Sequence, residues 1–224
     1  MAQDDRPGLV MTCAKPGVFA LTYDDGPSEY TKSLLDILDK ENVKATFFLL
    51  GKAVDDPSTG QWAKVAYDKG HQIAIHTYDH PHINSLSVDE VRSQINRTEQ
   101  ALEKVIGTVP NYFRPPYGEC SPTNQQLLEE MGYMIIQWNV DSNDWRYMND
   151  PKKFPLVTTN FKKDLAKMDG NASAAISLQH DIHKFSVDQT LGIIKMIKAK
   201  GFAFETVADC LDSNGGGRER GGSR

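Results

Sequence analysis

The chain has 224 residues, with 25 basic and 30 acidic side chains, a formal charge of −5 and 39% apolar residues. That length suits one domain with a sizeable core, and the lack of any Lys/Arg run speaks against a nucleic-acid partner. No stretch approaches the roughly 20 apolar residues of a membrane span, and the start MAQDDRPGLV lacks the apolar region of a signal peptide, so the chain as given reads as soluble.

Short apolar runs rich in Val, Ile, Phe and Tyr alternate with longer segments of helical period, which predicts repeated βα units with a parallel sheet. Residues 1–17 read as an N-terminal extension. The first strand is expected near Val18 to Thr22, followed by a helix with Tyr30, Leu34, Ile37 and Leu38 on one face. Next come a strand at Ala45 to Leu50, a helix around Gln61 to Lys69 that Gly70 caps in the left-handed conformation, and a strand at Gln72 to His76. Ser87 and Glu90 form a capping box before a long helix with the stripe Val88, Val91, Ile95, Leu102 and Val105, closed by Gly107. Strand four, Tyr112 to Arg114, is cut off by Pro115 and Pro116. Leu127, Leu128 and Met131 mark a helix that Gly132 stops, and Tyr133 to Val140 reads as strand five. A helix over roughly Lys152 to Met168 leads to strand six, Ala174 to Leu178. One last helix with Val187, Leu191, Ile194 and Ile197 ends at Gly201 and delivers strand seven, Phe202 to Glu205. The tail that includes GGGRERGGSR is expected to be flexible, which sets the domain at 18–211 and the tail at 212–224.

Seven parallel strands with intervening helices predict a barrel or a doubly wound sheet, whose chemistry sits at the carboxyl ends of the strands. Asp24 and Asp25 follow strand one, His76 ends strand three, Arg114 ends strand four, Asp141 and Asp144 follow strand five, and His180 follows strand six. Three cysteines leave at least one thiol outside a disulfide. Cys13 precedes the first strand and Cys210 follows the last, where a bridge would tie the ends of a barrel and contribute on the order of 4 to 5 kcal/mol by loop entropy. Cys120 would remain a thiol. The sequons Asn96-Arg97-Thr98 and Asn171-Ala172-Ser173 suit a secreted eukaryotic protein.

Two adjacent carboxylates at the end of a buried strand resist desolvation and call for a cation beside them. His76 and His80, four apart, would both reach one metal if the segment turned helically after the strand. A carboxylate from the TYDDGP turn completes a His₂-carboxylate set with positions left open for water and substrate. The other aspartate is then free to act as a general base. Arg114 would pair with a carboxylate and hold it ionised, and Asp144 would orient an imidazole, with His180 the natural recipient. His71, His82 and His183 read as structural or peripheral.

TYDDGP, HTYDH, RPPYG, DSNDW and LQH, in this order and at these intervals, resemble the five motifs of the polysaccharide deacetylases with a NodB-type domain, carbohydrate esterase family 4. The placement of Cys13 and Cys210 most resembles the fungal chitin deacetylases within it, although Tyr23 stands where many members have Phe and Cys120 has no nearby cysteine. The resemblance implies a distorted, TIM-like (β/α) barrel and hydrolysis of N-acetyl groups on chitin or chitooligosaccharides. It implies Asp25, His76 and His80 as ligands of a divalent metal, zinc with cobalt able to substitute. Asp24 is implied as the base, Arg114 as its partner, His180 as the acid and Asp144 as the residue that positions it. The Tyr117 N–H would bind the oxyanion, and Trp145 and Leu178 would wall a pocket for the acetyl methyl. A secreted or wall-associated monomer is expected. The motifs describe the acetyl end and not the sugar, so an acetyl xylan esterase or a peptidoglycan deacetylase fits the same pattern. A silent carbohydrate-binding module is opposed by the intact acidic and histidine residues.

Overall fold

A computed structural model of the chain describes residues 8–211. The tail expected over 212–224 and positions 1–7 of the extension lie outside the described residues. In chain order the first half forms β1 (Leu9–Val10), β2 (Val18–Ala20), β3 (Thr22–Asp24), α1 (Thr31–Glu41), β4 (Thr46–Leu49), α2 (Gly51–Asp55), α3 (Gln61–Asp68), β5 (Gln72–Ile75) and α4 (Val88–Ile106). The second half forms β6 (Tyr112–Phe113), α5 (Pro122–Glu130), β7 (Met134–Ile136), β8 (Val140–Asp141), α6 (Leu156–Leu165), β9 (Ala175–Leu178), α7 (Lys184–Val187), α8 (Thr190–Ala199), β10 (Ala203–Phe204) and α9 (Val207–Leu211).

Every strand pairing is parallel, in one sheet of order β1-β7-β6-β5-β4-β3 and another of order β10-β2-β9-β8. Two passes of the chain belong to both sheets. The pass through Leu21 gives β2 to one and β3 to the other, and its register against the β9 pass is unbroken from Phe19 opposite Ala175 to Asp24 opposite His180. The pass 134–141 likewise gives β7 to one sheet and β8 to the other. The sheets therefore close on each other as a distorted (β/α) barrel.

Strand five, expected to be continuous, is broken over Gln137, Trp138 and Asn139. Asn139 still pairs with the β9 pass there, its N–H donating to the Ile176 carbonyl (3.1 Å), and its side chain adds to the pairing: Nδ2 donates to the Ala174 carbonyl (3.0 Å) and Oδ1 accepts the Ile176 N–H (2.9 Å). The single last helix is also two, α7 and α8. Gln189 at the break donates to the carbonyls of Phe154 and Phe185 (2.9 Å each), and Leu191, expected on the apolar face, is exposed. The extension contributes β1, in which Leu9 and Val10 pair with Ile135 and Ile136.

Alternation along the strands sorts the core into two clusters. Phe19, Leu21, Tyr23, Phe47, Leu49, Ile73 and Ile75 pack with the helical residues Leu34, Leu38, Ile95, Leu102 and Ile194. Val18, Ala20, Phe48, Ala74, Ile136 and Ile176 form the second cluster. The same alternation carries Thr22 and Asp24 onto the face of Ala20, so an acidic group enters the barrel at its carboxyl end. Helix α4 starts in the expected capping box, with the Ser87 N–H donating to Glu90 Oε2 (2.8 Å), and stops at Gly107 in the left-handed conformation (φ 77°). Cys13 and Cys210 are joined across 197 residues, which ties the start of the barrel to α9, and Cys120 is a buried thiol.

Candidate active site

The carboxyl ends of β3, β5, β6, β8 and β9 surround a cleft of about 320 Å³, lined among others by Asp24, Asp25, His76, His80, Tyr117, Trp145, Leu178 and His180. A larger cavity of about 500 Å³ opens beside the amino ends of β5 and β6, around His71, Gln72 and Tyr112. Among the described residues, Asp25, His76 and His80 are the group spaced to hold a metal, and they line the smaller cleft.

One potential ligand atom from each of these three residues lies within 4.8 Å of the others, with Asp25 Oδ1 3.4 Å from His76 Nε2 and 3.5 Å from His80 Nε2. His76 Nδ1 lies 2.7 Å from the Arg114 carbonyl. A carbonyl only accepts, so the proton sits on Nδ1 and the Nε2 lone pair faces Asp25. Burial pushes His76 down to about 3, against the pull of Asp25, which keeps the ring neutral as a ligand must be. Asp25 Oδ1 is buried with no hydrogen-bond donor among the described residues. A buried carboxylate oxygen in that condition is costly unless a cation meets it, so the residues fit a divalent metal of the kind that two imidazoles and a carboxylate bind.

The segment from His76 to His80 does not make the helical turn expected from its spacing. Thr77 (φ 70°) and His80 (φ 63°) are left-handed, and the His80 N–H closes the bend on Thr77 Oγ1 (3.1 Å). Gln94 on α4 shapes this loop: its Oε1 accepts the N–H groups of Tyr78 (2.9 Å) and Asp79 (3.2 Å), and its Nε2 donates to Asp79 (2.7 Å). Asp25 is left-handed too (φ 73°), and the next residue must be glycine, because a Cβ on Gly26 would lie 2.3 Å from Asp181 Oδ1. Asp181 is fully buried, takes a hydrogen bond from Thr31 Oγ1 (2.5 Å) and is raised to about 7 by burial. Sequence reasoning passed over Gln94 and Asp181, since neither stands in a motif with evident chemistry.

Arg114 is fully buried. Its Nη1 donates to Asp24 Oδ1 and Thr22 Oγ1 (2.7 Å each), and its Nη2 donates to the Gln137 carbonyl (3.0 Å). Its guanidinium lies over the Phe48 ring, 4.0 Å from the centroid. Arg114 was expected to hold a carboxylate ionised; burial of Asp24 outweighs that pull, so the net shift of Asp24 is upward. The pairing leaves Oδ2 of Asp24 facing the cleft, 3.8 Å from His76 Nε2.

His180 and Asp144 form the second buried pair, with Nδ1 of the imidazole 2.7 Å from Asp144 Oδ1. Asp144 also accepts the His180 N–H (2.8 Å), the Ser186 hydroxyl (2.6 Å) and the Trp145 N–H (2.9 Å). Burial disfavours a cation at His180, yet the carboxylates of Asp144, Asp25 and Asp24 overcome it and push the imidazole up to about 10. The surrounding carboxylates therefore favour the imidazolium, and Nε2 lies 3.9 Å from Asp25 Oδ2. His183, expected to be peripheral, lines the same cleft together with Trp138, Asp141, Met148 and Ile182.

Residues 12–136 match the family model for polysaccharide deacetylases. Over 209 residues the chain is 37% identical to chitin deacetylase of Colletotrichum lindemuthianum, covering 90% of this chain and 82% of that protein. The solved structure of the Colletotrichum enzyme superposes with a TM-score of 0.86 and covers 91% of both chains. A peptidoglycan-N-acetylglucosamine deacetylase of Listeria monocytogenes is 42% identical over 190 residues, which is 84% of this chain and 37% of that longer protein. With the family match spanning more than half of its length and a relative 37% identical across 90% of it, the chain belongs to the polysaccharide deacetylase family.

Proposed function

We propose that this hydrolase removes N-acetyl groups from N-acetylglucosamine units of chitin or chitooligosaccharides, releasing acetate and leaving glucosamine. The observation that carries the reading is one cleft in which a metal-spaced Asp25–His76–His80 cluster lies beside a buried carboxylate, Asp24, and a buried imidazole, His180. Likeness to the Colletotrichum enzyme supports chitin as the polymer.

Asp25, His76 and His80 would hold zinc, with cobalt able to substitute, and the bound ion would polarise the acetyl carbonyl and lower the pKa of a water. Asp24 takes the proton of the attacking water; Arg114 fixes its Oδ1, and burial raises its basicity. The water oxygen bonds to the acetyl carbon, and the Tyr117 N–H donates to the oxygen on which negative charge develops. His180 Nε2 gives its proton to the amide nitrogen as the C–N bond breaks, so the amine leaves neutral. An amine anion is a poor leaving group, which is why an amide needs this acid. Asp144 holds the imidazolium in place, and Trp145 and Leu178 wall the space for the methyl group. The disulfide suits an oxidising compartment, so the enzyme would act outside the cell or at the wall, with the exposed Asn96 and Asn171 as glycan acceptors.

Identity to the Listeria protein favours peptidoglycan as the second reading. Acetate release compared on chitin oligomers, peptidoglycan and acetylated xylan separates the substrates. Fastest release from chitin oligomers is the expected result. Faster release from peptidoglycan or xylan reassigns the polymer, and glycan binding with no acetate from any of them marks a silent binding module.

A further inference from the structure

Tyr117 adopts φ 57° and ψ 9°, a left-handed conformation that bulky residues rarely take. Such a conformation persists only where the surroundings impose it. The turn hydrogen bonds of this segment are donated by Gly118 to the Pro115 carbonyl and by Glu119 to the Pro116 carbonyl (3.1 Å each), and neither uses the Tyr117 N–H. The two turns bracket the Tyr117 backbone, and other groups hold its side chain.

The phenol ring is held between two imidazoles. His80 meets it edge-on, with centroids 4.5 Å apart, and His82 lies flat against it, with centroids 3.9 Å apart and planes 11° from parallel. His82 is itself held, because its Nδ1 lies 3.2 Å and 3.3 Å from the two carboxylate oxygens of Glu119. The two segments are also pinned side by side: Asn84 Oδ1 accepts the Ser121 N–H (2.8 Å), and Asn124 Nδ2 donates to the Ile83 carbonyl (3.0 Å). Tyr117 is 55% exposed and the His82 side chain 58% exposed, so filling a core does not explain the stack.

We propose that His82, steadied by Glu119, is a positioning residue that clamps Tyr117 in the conformation from which its N–H faces the reacting acetyl group, a role that rests on the N-acetyl hydrolysis proposed above. The clamp acts through Tyr117 and touches no reacting atom. A donor aimed at developing charge loses its effect when it drifts, and misplacement alone costs one to two orders of magnitude in rate.

The test is acetate release from N-acetylglucosamine oligomers by the wild type, H82A and H82F, with zinc binding and thermal unfolding followed on the same preparations. H82A is expected to lose about tenfold in kcat with KM changed less than about twofold, as for a loosened transition-state donor. H82F, which keeps a flat ring on Tyr117, is expected to recover most of that loss, and zinc binding stays at the wild-type level in both. A kcat for H82A close to wild type overturns the clamp, as does an equal loss in H82F or a weakened zinc site. A raised KM at unchanged kcat also overturns it and makes His82 a sugar-stacking platform instead. If the wild type itself releases no acetate, the proposed function falls and the clamp falls with it.

Discussion

Replacing Asp24 by Asn is expected to lower kcat for acetate release from chitin oligomers by at least about 100-fold, the usual contribution of a general base. Asn is close in shape, and its amide oxygen still accepts from Arg114 Nη1, where Asp24 Oδ1 now lies 2.7 Å away. What it cannot do is take a proton from water. Arg114 is fully buried, so loss of its counter-charge also destabilises the fold, by less than the ~3–5 kcal/mol seen when a buried ion pair loses one partner outright. Thermal unfolding run beside the acetate assay separates the two effects. A folded D24N variant with near wild-type turnover would remove Asp24 from the chemistry.

A comparable loss, again about 100-fold or more, is expected for Asp144→Asn, because a general acid must be both protonated and aimed. Asp144 accepts four hydrogen bonds, from His180 Nδ1, the His180 N–H, the Ser186 hydroxyl and the Trp145 N–H. An asparagine has one oxygen to offer this set, and its NH₂ group would face donors. The sign of the pH effect follows from the same geometry. The carboxylates around His180 hold its pKa above the ordinary value, up to about 10, and Asp144 is the largest of these upward influences. Its neutral replacement lets the imidazole titrate lower, so a smaller fraction is protonated at neutral pH. Histidine NMR titration checks the shift directly, and an unchanged His180 pKa in D144N contradicts the assignment of Asp144 as its holder.

The grouping of polar residues at one rim was legible because strand ends can be read from apolar runs, and parallel βα units put those ends on one side. TYDDGP, His76, Arg114 and His180 all sit at or just after the ends of such runs; Asp24, Asp25, His76 and His180 line one cleft, and Arg114 is buried against Asp24. The path from His76 to His80 was not legible. Spacing suggested a helical turn, whereas left-handed residues and the side chain of Gln94, on a helix that begins further along the chain, set the loop. Strand five was misread for a related reason: an asparagine side chain that shares in the pairing, beside its own backbone bond, leaves no mark in a hydrophobic pattern. β1 was too short to register, with two residues paired against Ile135 and Ile136. His183 and Asp181 gave no signal because they follow His180 in a segment whose course is set by its packing against the cleft wall and α1.

Acetate release from chitin oligomers, measured with and without a chelator and again after adding back zinc or cobalt, tests metal-dependent N-acetyl hydrolysis most directly. The expected result is turnover by the untreated enzyme, none in chelator, and recovery with either ion. Turnover that persists in chelator would contradict the role given to Asp25, His76 and His80.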